Sequence, residues 1–297
     1  LYPGEPWGER EPPSNRIALD STDDEGTGVP KMETILLVGL DEPETAELRS
    51  RLDRPILTFE SLPRIRVDRG MLLVEHPHAM NHFVPVDRVV FHAIFEDDFD
   101  FLAALALWGG PCLPGARGMM DLRHRLPGLV RTLAVTRFGK TARGYADRGT
   151  SVVAEPEQVA KWGNWHCGED KSRFTGPWTA DQPTLFEEHV DGEAVRIVLV
   201  GEHAWQVRMT GDGWLKSIHH RDAAFMPIDP ELLDDTRNLA AHFGLEVVGV
   251  DYIVALDGSR HLLEVNHVPN VTVLPEVRAA YLDLVVNWAK RDHGRND

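Results

Sequence analysis

Apolar positions fall along this chain in two periods, and the switches between them mark its elements. Thr34 to Leu40 (TILLVGL) is a short apolar run of buried-strand character. Asp41 to Leu52 follows with Ala46, Leu48 and Leu52 at helical spacing and acids early, where they favour a helix N-terminus. Met71 to Glu75 and Val89 to Phe91 read as strands. Asp97 to Trp108 reads as a helix opened by acids and closed by Gly109-Gly110-Pro111. The alternation predicts an α/β lobe over residues 32–118, in which Asp41 and His92 could serve a site or simply end their strands. Met119 to Leu133 is predicted as a helix carrying Arg123, Arg125 and Arg131. Strands follow over Gln158 to Trp162, Thr184 to Val190, Ala194 to Gly201 and Ala204 to Met209. Asp229 to Phe243 is a helix with Asp229 as its cap and Pro230 in its first turn, and Pro275 to Lys290 is the closing helix. Residues 1–31, rich in Pro, Gly and acids and without either period, read as a tail or linker.

Gly249 to Asn266 is the stretch around which the rest is organised. It reads as two apolar strands joined by Asp257-Gly258, a dipeptide suited to a tight hairpin turn. Asp251 stands on the first strand, and Glu264 and Asn266 on the second. The latter two are two residues apart and share a face, which Asp251 can meet across the hairpin. Two carboxylates and an amide oxygen held together repel one another unless a hard cation such as Mg²⁺ settles them. The bland alternative is an ordinary hairpin with solvent-facing acids.

A second constellation precedes it. Lys161 ends a strand and is followed by Gly163, His166, Gly168 and Lys171, a loop whose backbone N–H groups can close over phosphates while the lysines neutralise charge. The glycine spacing fits neither a Walker loop nor a dinucleotide fingerprint.

Composition narrows the classes. A net charge of −16 argues against a nucleic-acid surface, and no apolar run approaches the roughly 18 residues of a membrane span. Cys112 and Cys167 are too few for a disulfide framework, and the N-terminus lacks a signal peptide's apolar core, so a cytoplasmic protein is expected.

The pattern of Asp251, then Leu263-Glu264-Val265-Asn266, then Pro269 resembles the metal-binding end of the ATP-grasp ligases, with Asn270 where that family often has glycine. The loop resembles the Lys-x-Gly-x-x-His-x-Gly-x-x-Lys segment of the synapsin-like and ribosomal-protein-glutamate-ligase-like members, and Lys161, Gly163, His166, Gly168 and Lys171 fill every place of it. The resemblance spans about Met119 to Trp288. It implies an ATP-grasp fold: an N-terminal α/β lobe, then two α+β lobes, residues 119–184 and 185–297, gripping ATP between them. In such a fold Arg125 would take the place of a phosphate-binding lysine, the backbone of Glu188 and Val190 would meet the adenine edge, and Glu187 would face the amino group or ribose. The family's ribose acid falls where Ala194 stands, leaving Glu193 one residue out of register. Arg196 would match an arginine of the family's Asp-x-Arg segment, with a strand salt bridge as the equal alternative. Arg208 would be buried and aimed at an acyl phosphate.

The implied activity is that of a carboxylate–amine ligase. ATP with Mg²⁺ or Mn²⁺ would activate a small-molecule or peptide carboxylate as an acyl phosphate, and an amine would displace phosphate. Asp251, Glu264 and Asn266 would hold the metal, and Lys171 and Arg208 would act on the reacting phosphoryl group. The oligomeric state is left open, a homodimer being one option because dimers are frequent among such proteins. The alternative function is a synapsin-like ATP-binding regulator without turnover.

Overall fold

The computed structural model describes residues 33–139, 142–163, 170–210, 222–269 and 274–291. The first apolar run becomes β1 (Ile35–Val38), buried throughout. α1 (Glu42–Arg51) follows, opened by a reciprocal cap: the Asp41 carboxylate accepts from the Glu44 N–H at 3.0 Å, and the Glu44 carboxylate accepts from the Asp41 N–H at 3.1 Å. β2 (Ile56–Phe59) returns parallel to β1. An antiparallel meander of β3 (Ile65–Asp68), β4 (Met71–Glu75) and β5 (Phe83–Val86) precedes β6 (Arg88–Phe91). After α2 (Phe99–Trp108), the short β7 (Cys112–Leu113) completes a parallel sheet in the order β2-β1-β6-β7. Asp41 thus serves as a helix cap. His92 packs against Tyr281 with ring centroids 4.7 Å apart, and burial pushes its pKa down to about 4.

The single helix predicted over 119–133 is two helices. α3 (Ala116–Arg123) and α4 (Arg125–Leu133) break at His124, whose backbone is extended at φ −92° and ψ 130°. A proline at position 127 lacks the N–H that a continuous helix would direct to the Arg123 carbonyl, so it is tolerated only in the first turn of a fresh helix. The break places Arg125 at a helix start.

Four strands then form an antiparallel sheet in the order β10-β9-β11-β8: β8 (Arg143–Ala146), β9 (Ser151–Trp162), β10 (Lys171–Thr179) and β11 (Thr184–Glu188). β10 is not among the predicted strands, and it carries Gly176 and Pro177, both uncommon within strands. It is an edge strand, where proline costs no ladder bond, and Gly176 at φ +80° lies at the register shift that follows Phe174. This sheet has its own small core of Ala146, Ala160, Ala180 and Phe186.

The last sheet is antiparallel in the order β14-β13-β12-β15-β16, from β12 (Gly192–Val200), β13 (His203–Thr210), β14 (Asp222–Met226), β15 (Val247–Ala255) and β16 (Arg260–Asn266). α5 (Pro230–Phe243) is capped by Asp229 and ends on the left-handed Gly244. Leu232, Leu239 and Phe243 of α5 join Ile197, Val250, Met119 and Phe91 in one apolar cluster. α6 (Pro275–Lys290) joins Val198 and Val200 to Leu37 and Val90 in another. The acid-bearing strands therefore share cores with the first sheet. The class is mixed α/β, as expected. Among the described residues no helix is long and apolar enough to cross a membrane.

Candidate active site

β11 leads through residues 189–191 directly into β12, so this connection joins the middle sheet to the last one. Beside it lies a cavity of about 450 Å³, lined by Val159, Lys161, Lys171, Val190, Ala194 and Leu263 among others. The turn into β12 needs glycine: a Cβ on Gly192 would stand 2.4 Å from the Val254 carbonyl oxygen. Glu188 and Val190 both line this cavity, where their backbone was expected to meet an adenine edge.

Lys161 and Lys171, both on the cavity wall, are direct cross-strand partners of β9 and β10. The Trp162 N–H donates to the Asp170 carbonyl at 3.0 Å and closes the base of the loop between them. Gly163 starts that loop at φ +70°, where a Cβ would lie 2.6 Å from the Asp170 carboxylate. His166 and Gly168, the loop's remaining candidates, lie outside the described residues. Arg125 reaches the same place from the start of α4, its Nη1 donating to the Trp162 carbonyl at 2.9 Å. Burial, and then the neighbouring Lys161 charge, lower the Lys171 pKa to about 8 from 10.5, with Glu264 and Glu187 opposing and Arg125 adding to the fall.

The three oxygen donors of the hairpin meet as the strand alternation requires. Asp251 pairs with Glu264 across β15 and β16, Gly249 pairs with Asn266, and the Asn266 Nδ2 donates to Asp251 Oδ2 at 3.2 Å. Asp251 and Asn266 are buried, while Glu264 is half-buried. Between Asp251 and Tyr252 the register shifts by one residue, leaving Leu263 as an extra residue on β16. The neighbouring Leu262 bonds outward instead: its N–H donates to the Phe138 carbonyl at 3.1 Å and its carbonyl accepts from Arg143 at 2.8 Å. Among the described residues no three His, Cys, Asp or Glu side chains stand so as to hold a metal.

Glu187 lines the cavity as well. Its side chain is buried and engaged by the Lys161 ammonium and by Arg143 Nε at 3.0 Å. The Arg196 guanidinium holds both oxygens of Asp251, at 2.6 and 2.8 Å, which is the strand salt bridge expected as one of its two readings.

No family model matches the sequence, and a search of curated proteins gives no match. Solved structures do match. A RiPP-associated ATP-grasp ligase of Chryseobacterium gregarium, in complex with ADP and a leader and core peptide, aligns with 88% of this chain and 98% of its own at TM-score 0.58 and 12% identity. The ATP-grasp ligase PsnB, complexed with a minimal precursor, Mg and ADP, aligns over 89% and 100% at TM-score 0.57 and 13% identity. D-alanyl-alanine synthetase A of Vibrio cholerae aligns over 86% and 97% at TM-score 0.59 and 12% identity. The chain has the ATP-grasp fold.

Within that ATP-grasp frame one expectation changes. Arg208 is not buried; its side chain is 46% exposed and pairs with Glu193 at 2.5 Å. Strand alternation assigns residues to a face without saying whether anything covers that face. Glu193 pairs with Arg208, and Ala194, buried, is the residue of the two that lines the cavity. Arg143 was missed altogether. It is buried at the meeting of β8, β11 and β16, and no motif marks it, because its partners lie far along the chain.

Proposed function

We propose that this protein is an ATP-dependent carboxylate–amine ligase. It activates a substrate carboxylate as an acyl phosphate, joins it to an amine and releases ADP and phosphate. The observation that carries the reading is one continuous arrangement: the cavity between β11 and β12 is lined by apolar Val159, Val190, Ala194 and Leu263 together with Lys161 and Lys171, and Lys171 lies within electrostatic reach of Glu264 on the acid hairpin. An adenine suits the apolar residues and phosphates the lysines, between lobes assigned to residues 119–184 and 185–297.

The donor set fits magnesium. Glu264, Asn266 and Asp251 supply hard oxygens, and this ion needs only one or two protein carboxylates when phosphates and water complete its shell. Bound there, it would neutralise triphosphate charge and polarise the phosphoryl group. Arg196 holds Asp251 in place and spreads its charge, so Glu264 is the principal ligand. Lys161, Lys171 and Arg125 bind and align the phosphates, the main work in phosphoryl transfer. Peptides are the substrate class we propose, supported by the precursor peptides in the solved relatives.

One observation favours the regulator instead: Arg208, the residue assigned to the acyl phosphate, is engaged by Glu193 at the exposed rim. Measuring ADP release with magnesium, ATP and peptides bearing both carboxylates and amines separates the two. Substrate-dependent release supports the ligase. Tight ATP binding without turnover across such a panel supports the regulator, and no nucleotide binding removes both.

A further inference from the structure

Arg143 stands on β8 directly opposite Glu187 on β11, and both side chains are buried, at 2% and 4% exposure. Its Nε lies 3.0 Å from one Glu187 oxygen, and the other oxygen meets the Lys161 ammonium. Two cations thus share one carboxylate in a place with little water. The same guanidinium sends Nη2 to the Leu262 carbonyl at 2.8 Å, two residues before Glu264 on β16. The chain of contacts therefore runs from the cavity lysine, through Glu187 and Arg143, to the strand of the metal acids.

Counting charge shows what the sharing does. Lys161, Arg143 and Glu187 together carry one net positive charge; without Arg143 the remaining pair is neutral. We infer that Arg143 is a positioning residue that divides the charge of Glu187 and so leaves Lys161 available to a phosphate, while its bond to Leu262 sets the distance from that lysine to the acid hairpin. This rests on the nucleotide reading of the cleft. Coulomb attraction in a poorly hydrated site is strong enough for a closed Lys161–Glu187 pair to compete with a ligand phosphate.

Calorimetric titration of the full chain with ATP and magnesium, without other substrates, tests the inference on Arg143→Leu, Glu187→Gln and the double variant. Arg143→Leu is expected to weaken binding by about tenfold, the scale of one lost charge in such a site. Glu187→Gln is expected to tighten it, and the double variant to return near the wild type, because Lys161 then has no acid to close upon. A merely structural role for Arg143 gives the opposite pattern: Glu187→Gln weakens binding and the double variant is worse than either single one. That pattern, or unchanged binding in Arg143→Leu, overturns the inference. If Arg143→Leu fails to fold, Glu187→Gln decides alone, tighter binding supporting the inference and unchanged or weaker binding overturning it. A wild type that binds no nucleotide is a different result, which removes the reading of the cleft and this inference with it.

Discussion

Arg196 and Asp251 face one another across the β12–β15 ladder, and the guanidinium meets both carboxylate oxygens, at 2.6 and 2.8 Å. A bidentate pair of this kind leaves each carboxylate oxygen further lone pairs for a cation and holds the acid in one rotamer. Arg196→Met should strand a nearly buried negative charge beside Glu264, at a cost of about 3 kcal/mol in chemical denaturation. Magnesium should recover part of that loss, because it replaces the missing positive charge. The double variant Arg196→Met/Asp251→Asn should be more stable than Arg196→Met alone. Equal stability of the two would mean that the pair carries no coupling.

Lys171 gives the site a pH dependence. Its pKa is lowered to about 8 from 10.5, by burial first and by Lys161 next. A bound triphosphate favours the charged ammonium, so ATP affinity should be full near pH 7. It should weaken above pH 8, by up to about tenfold per unit until the bound-state pKa is reached. Stability of the unliganded protein moves the other way. Between about pH 8 and 10.5 the unfolded lysine carries a proton that the folded one lacks, so stability should rise across that window. Lys171→Met should flatten both profiles. Binding that stays constant from pH 7 to 9 in the wild type would contradict the assignment.

The acid hairpin was legible because two constraints agree there. Strand alternation puts Glu264 and Asn266 on one face, and Asp257-Gly258 limits the pairing register to within a residue or two. The bulge at Leu263 was not legible, since it is imposed by the segment around Phe138 and Arg143, well over a hundred residues earlier in the chain. Lys161 and Lys171 could be placed because a loop of fixed length makes them partners. The ion pairs of Glu187 were not legible: only the fold brings Arg143 and Lys161 to it from two different strands. Local pattern therefore reveals groups that share a strand or hairpin, while charge pairs between elements depend on the tertiary arrangement.

Asp235 on α5 is fully buried and accepts three hydrogen bonds: from Thr136 Oγ1 at 2.7 Å, the Arg137 N–H at 2.8 Å and the Tyr252 hydroxyl at 3.0 Å. Two of these donors lie on the segment that enters the middle sheet, and the third is on β15 next to Asp251. Asp235→Ala would leave them without their acceptor, and a loss of about 3 kcal/mol is expected. Amide exchange should accelerate selectively at Arg137 and Phe138, where the segment loses its anchor. A uniform acceleration across the chain would show that Asp235 supports global stability rather than this junction.

Arg208 and Glu193 decide between turnover and binding alone. Both side chains are more than two-fifths exposed, so their ion pair should contribute about 1 kcal/mol or less, and Glu193→Gln should leave the melting temperature nearly unchanged. If Arg208 serves the acyl phosphate, it must leave Glu193 when the substrate arrives. Glu193→Gln removes that competitor, so the rate of ADP release should rise or hold while ATP affinity stays the same. Arg208→Ala should reduce the rate by about a hundredfold or more with ATP affinity again preserved, as expected for a contact made mainly with the reacting group. An Arg208→Ala variant that turns over at the wild-type rate would move acyl-phosphate stabilisation to Arg125 and the two lysines.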